Sequence, residues 1–113
     1  MDTAELEKSN THVVVEIIDY KPHAVVSKTI IKRSTGNITI SALAAGEKLA
    51  GKTSAFDTYI QIIDGAAEVI IDDEKYKLKS GEGIVIPANS KHTFVAHKKF
   101  KMISTTIKSG YEK

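Results

Sequence analysis

The constraint that most limits this chain is its punctuation. Apolar runs of four to eight residues recur along its length, and each ends at a cluster of glycine, asparagine, aspartate, serine or proline. Ile38-Thr39-Ile40-Ser41-Ala42-Leu43-Ala44 alternates apolar with polar or small residues, the pattern of a half-buried strand. Phe56 to Ile63 also reads as a strand, and Ile84-Val85-Ile86 is a β-branched run too short for a helix. Pro87 fixes φ and donates no hydrogen bond, so it closes that run. Many short strands at close spacing predict an all-β sandwich or barrel.

In chain order the expectations are as follows. Asp2 through Asn10 is predicted as a short helix capped by Asp2 or Thr3. Val13 to Ile18 has the β-branched content of a strand, and Lys21-Pro22-His23 breaks it. Ala24–Lys32 and Ile38–Ala44 are strands around the turn Ser34-Thr35-Gly36-Asn37. Leu49 to Ala55 runs along the rim. Asp64-Gly65 reads as a hairpin between Phe56–Ile63 and Ala66–Ile71. Asp72-Asp73-Glu74 turns again, and Lys77 and Lys79 in the next strand are the kind that protect a sheet edge. His92 opens the strand Thr93 to Ala96, and Lys101 to Lys108 completes the set.

With 113 residues, 42% of them hydrophobic, the chain makes one domain with a real core. The net charge is only +2 and the basic residues are scattered, which argues against nucleic acid as a partner. The densest basic stretch, Lys98-Lys99-Phe100-Lys101, reads as a solvated loop. There is no cysteine, which excludes disulfides and thiolate zinc sites. The acidic N-terminal residues Asp2, Glu5 and Glu7 do not resemble a secretory signal, and no apolar run is long enough to span a membrane. A cytoplasmic location is the expectation.

Two segments together resemble the cupins, the small jelly-roll barrels. Gly81, Pro87, Asn89, His92 and Ala96 keep the spacing of the second cupin motif, with Asn89 in place of a glycine and Ala96 in place of an asparagine. In the first motif, Gly46 and Gly65 fit the two glycines, while Lys52, Ser54 and Thr58 stand where two histidines and a glutamate belong. The resemblance covers about residues 38–107 and implies a double-stranded β-helix, preceded by an N-terminal arm over about residues 1–23.

A typical cupin holds a divalent metal through three histidines and a carboxylate. Here His92 alone remains, and Lys52 would repel a cation. No metal and no other cofactor is therefore predicted; a divalent ion held through His92 is the alternative. The resemblance leaves Lys52, Ser54, Thr58 and His92 as ligand-binding candidates at the barrel mouth. Lys52 and His92 would form a cationic, hydrogen-bonding pair suited to an anionic or carbohydrate-like small molecule. A neutral His92 is also a candidate general base.

Three readings follow: a metal-free binding domain; an enzyme, either a degenerate metal-dependent cupin or a metal-free sugar isomerase or epimerase using His92; and a sensor or interaction module without its own DNA-binding domain. Metal-free deoxysugar epimerases of this family pair a histidine base with a tyrosine acid, but Tyr20, Tyr59, Tyr76 and Tyr111 are not obviously placed for that. His97 should face outward, opposite in parity to His92, and Asp57 should lie outside or in a turn. The apolar segment Val13–Ile18, with Tyr59 and Ile63 facing outward, predicts a homodimer.

Overall fold

The structure is a computed structural model that describes residues 5–51 and 53–111. It contains eight strands: β1 (Val25–Arg33), β2 (Gly36–Leu43), β3 (Lys48–Gly51), β4 (Thr58–Ile71), β5 (Glu74–Lys79), β6 (Gly83–Ile86), β7 (His92–Val95) and β8 (Phe100–Ile107). All the pairings are antiparallel. One sheet runs β1-β2-β8-β4-β6, using the first half of β4. The other runs β3-β7-β4-β5, using the second half.

β4 therefore belongs to both sheets, and the expected hairpin at Asp64-Gly65 is instead a bend within one long strand. The ladder to β8 slips between Ile62 and Asp64, and Gly65 sits at φ +73°. A Cβ on Gly65 would lie 2.2 Å from the carbonyl oxygen of Lys99, so glycine is needed for close approach as well as for φ. The two-residue hairpin comes one turn later. Ile71 pairs with Glu74, and Asp72 and Asp73 both have positive φ (47° and 72°), the geometry of a type I′ turn.

The sheets close on a core that includes Leu43, Ile60, Ile62, Val69, Phe94, Phe100 and Met102. This is the jelly-roll barrel that the strand rhythm and the motif spacing predicted. β5 pairs only with β4, so Lys77 and Lys79 do stand on an edge strand. The basic stretch before β8 is less exposed than expected: Phe100 is fully buried and Lys101 is 7% exposed, leaving only Lys98 and Lys99 in a solvated loop.

A second, smaller core forms on the outer face of the first sheet. Ile40 and Ala42 of β2 are capped there by Ile18, with Ile17, Tyr20, Ile63 and Ile103 packed alongside. Ile63, expected to await a partner subunit, is thus covered by the chain's own arm. Two N-terminal expectations change. The described part of the expected helix, Glu5 to Asn10, is not helical. The Leu6 amide donates to the Ile30 carbonyl (3.1 Å), and the Glu5 carboxylate accepts from the Lys32 amide (2.6 Å) and the Arg33 guanidinium (2.8 Å). Those bonds to β1 outweigh a helix that is marginal alone.

The expected strand Val13–Ile18 is a single 3₁₀ turn, Val14–Glu16, followed by Ile17 and Ile18. The segment crosses the sheet face instead of joining an edge, so it is stabilised by side-chain burial and not by a ladder. Lys101 fastens it. Its ammonium donates to the Val15 carbonyl and lies 5.0 Å from the centroid of the Tyr20 ring. The Tyr20 hydroxyl in turn donates to Asp64 (2.6 Å). Burial, and then the Asp64 carboxylate, push the Tyr20 phenol well above its usual range.

Candidate functional site

His92 is the first residue of β7, directly after the Pro87–Lys91 turn, and pairs with Gly51 of β3 on one side and Ile71 of β4 on the other. Two features of the sequence give the turn its shape. Asn89 adopts φ 66°, the left-handed conformation inferred from its place in the motif. Asp57, one residue before β4, accepts the Ala88 amide on its carboxylate (2.7 Å). Asp57 therefore fastens a turn, as its parity suggested.

The His92 ring lies over Gly51. A Cβ built on that glycine would stand 1.8 Å from Nε2 of His92, so the imidazole occupies the space where any other side chain would begin. The ring meets Phe94 edge-on at 5.5 Å between centroids. Since Phe94 belongs to the barrel core, His92 faces inward. Nδ1 is buried and has no hydrogen-bond partner among the described residues. Burial lowers the pKa of His92, and the backbone at Ser90 offsets this only in part. The imidazole is thus neutral near pH 7. Lys52 lies outside the described residues.

The other candidates are placed separately. Ser54 is half-buried; its hydroxyl accepts the Phe56 amide (3.1 Å) and its carbonyl accepts the Asn89 amide (2.6 Å), tying the loop before β4 to the turn before His92. Thr58 opens β4 on the first sheet, and its hydroxyl is hydrogen-bonded to that of Thr106 at 3.0 Å. Neither hydroxyl is bonded to His92. His97 faces outward with its side chain 68% exposed, and Tyr59 and Tyr76 are exposed as expected.

The motif comparison missed a row of hydroxyls on the inner face of the first sheet. Ser41 pairs with Met102, and Ser104 with Ile60, both core residues, so these serines face inward with them. Ser27 and Ser41 share a hydrogen bond (2.8 Å), as do Thr58 and Thr106. The alternation Met102-Ile103-Ser104-Thr105-Thr106 carried this signal, because every second residue turns inward.

The family model for the cupin domain matches residues 44–106, more than half of the chain, from just after β2 through Thr106. The chain belongs to the cupin family. Among solved structures, this cupin is similar to a conserved protein of unknown function from Streptococcus pyogenes, at 26% identity and a TM-score of 0.88 over 95% of this chain and 94% of that one. A cupin superfamily protein from Desulfitobacterium hafniense is 23% identical, with a TM-score of 0.86 over 94% of this chain and 97% of that one. A cupin 2 conserved barrel domain protein from Leptotrichia buccalis is 22% identical, with a TM-score of 0.89, covering 95% of this chain and 51% of the other. No curated protein matches the sequence.

The donor set present does not fit the divalent metal that cupins commonly hold. Among the described residues no three histidine, aspartate or glutamate side chains converge. Where further ligands would stand, Ser54 and Thr58 are already hydrogen-bonded within the protein. A single imidazole does not make a site for a tightly held ion.

Proposed function

We propose that this cupin is a metal-free binding domain for a small anionic or carbohydrate-like molecule taken up at the His92 end of the barrel. The observation that carries this reading is the buried Nδ1 of His92. Among the described residues this desolvated ring nitrogen has no hydrogen-bond partner, which is costly to the folded protein, and a ligand hydroxyl or carboxyl group would supply the missing bond. The inward row of serine and threonine hydroxyls favours a polyhydroxylated ligand over an apolar one. Ser54, whose carbonyl accepts the Asn89 amide, adjoins the turn before His92, and Lys52 and Thr58 are assigned to the same site by the motif spacing alone. A second reading, an enzyme, is favoured by the same imidazole, because a neutral histidine is competent as a general base. We further propose that the protein pairs with a second copy of itself, through exposed apolar residues of the arm and first sheet such as Val13 (59% exposed) and Val85 (56% exposed).

The test is calorimetric titration with a sugar acid, D-gluconate, alongside elemental analysis of protein purified without an affinity tag or chelator. Saturable gluconate binding that His92→Ala abolishes, with no stoichiometric metal, is the expected result. Near-stoichiometric metal lost in His92→Ala would overturn the metal-free reading. Gluconate binding unaffected by His92→Ala would remove the site from the barrel mouth.

A further inference from the structure

A hollow lies away from His92, on the outer face of the second sheet. It has a volume of about 510 Å³, within the range of small-molecule sites, and is lined by Ala66, Glu68, Lys77, Lys79, His97 and Lys98, among others. Its shape comes from an anomaly in β4. Between Ile60, Ile62 and Ile63 on one side and Val69, Ile70 and Ile71 on the other, the strand carries Gly65, Ala66 and Ala67. These are poor strand formers that fill no volume. The bend at Gly65 and the two small side chains leave a basin between β5 and the loop that precedes β8.

The chemistry at the basin floor is unusual for an outer face. Glu68 is only 8% exposed, although its parity turns it away from the barrel core. Among the described residues its carboxylate meets the His97 ring at 3.1 Å, and the His97 side chain is itself 68% exposed. Lys77 stands directly across the ladder from Glu68, and Lys79 across from Ala66. Neither lysine forms a salt bridge, nor does Lys98, among the described residues. Glu82 is already engaged, accepting the Lys79 amide at 2.9 Å. The basin thus pairs a floor that accepts hydrogen bonds, the Glu68 carboxylate, with a rim of three uncommitted ammonium groups that only donate them.

We propose that this basin is a second binding site, separate from the barrel mouth, for a small anionic polyol. The anionic group sits among Lys77, Lys79 and Lys98, and a hydroxyl donates to Glu68. A bare anion would meet the rim but would be repelled by the floor, so the basin requires a hydroxyl donor on the same molecule.

The experiment is a titration of the ¹⁵N-labelled full chain with glycerol 3-phosphate, followed by amide chemical shifts, with glycerate, inorganic phosphate and glycerol as parallel probes. Glycerol 3-phosphate should move the amides of Ala66–Glu68 and Lys77–Lys79 saturably. The exposed double variant Lys77→Ala/Lys79→Ala should weaken it about tenfold or more. Glycerate binding at least as tightly would make the carboxylated member of the class the preferred ligand. Inorganic phosphate should bind more weakly than glycerol 3-phosphate, and Glu68→Gln should narrow that gap. His92→Ala should leave the titration unchanged, which separates this site from the mouth. The proposal is overturned if neither polyol anion shifts these amides at millimolar concentration, if inorganic phosphate binds as tightly as both, or if the shifts map to Gly51 and His92.

Discussion

Gly51 and His92 act as one unit. The missing Cβ of Gly51 leaves a place for the imidazole, and the strand pairing puts the ring there. The consequence is a histidine that resists protonation. Its pKa is lowered in the folded protein, mainly by burial, while in the unfolded chain it returns to about 6.5. Between those two values the unfolded state binds more protons, so stability falls as pH drops through about 6.5 toward the folded-state pKa. Above about 6.5 both states are neutral and His92 adds no slope. The urea midpoint of the wild type should therefore fall between pH 7 and pH 5.5, and His92→Gln should fall less over the same interval. Parallel pH profiles for the two proteins would mean that the imidazole is not desolvated.

β4 decides the architecture. Its first half completes the sheet that carries the hydroxyl row, and its second half carries Glu68 and the basin. The bend between them depends on Gly65, where a side chain would meet the Lys99 carbonyl and adopt a disfavoured φ. Gly65→Ala should cost about 3 kcal/mol or more in urea unfolding, combining backbone strain with overpacking. Gly81, also at positive φ but with open space around it, provides the control: Gly81→Ala should cost only the strain, about 1–2 kcal/mol. Equal losses at the two positions would show that the bend tolerates a side chain. Asp64-Gly65 has the residue chemistry of a hairpin, and sequence pattern alone could not exclude one. The strand runs on because β8 pairs across the bend, from Thr58 opposite Thr106 to Gly65 opposite Phe100.

For the whole molecule, the arm does the work of a missing layer. The outer face of the first sheet carries Ile40, Ala42 and Ile103, which an isolated barrel would expose to water, and Ile18 caps them. Burying one isoleucine is worth about 1.5–3 kcal/mol, and the Lys101 contact to the Val15 carbonyl adds to that. Deleting residues 1–19 should lower stability by about 3 kcal/mol, because Ile40, Ala42 and Ile103 lose the Ile18 cap and Lys101 loses its Val15 acceptor. If the arm also builds a dimer interface, sedimentation should show the truncated protein at half the mass of the intact one. Unchanged melting together with unchanged mass would show that the arm is an appendage.

What the sequence by itself determined is most of the strands, the turns at Asp72-Asp73 and at Asn89, and the barrel. These follow from local rules: β-branched runs, period-two alternation, and turn residues such as Asn89 whose φ the structure bears out. The motif spacing was legible too, with Lys52, Ser54 and Thr58 at three of its positions. Tertiary structure alone decided the rest. The arm's 3₁₀ turn, the burial of Lys101 and the continuity of β4 all depend on residues far apart in the chain. The burial of Nδ1 of His92, without a partner among the described residues, depends on Gly51, and the basin at Glu68 on a loop nearly thirty positions away. Local pattern records which residues suit a strand; burial and partnership are properties of which strands meet.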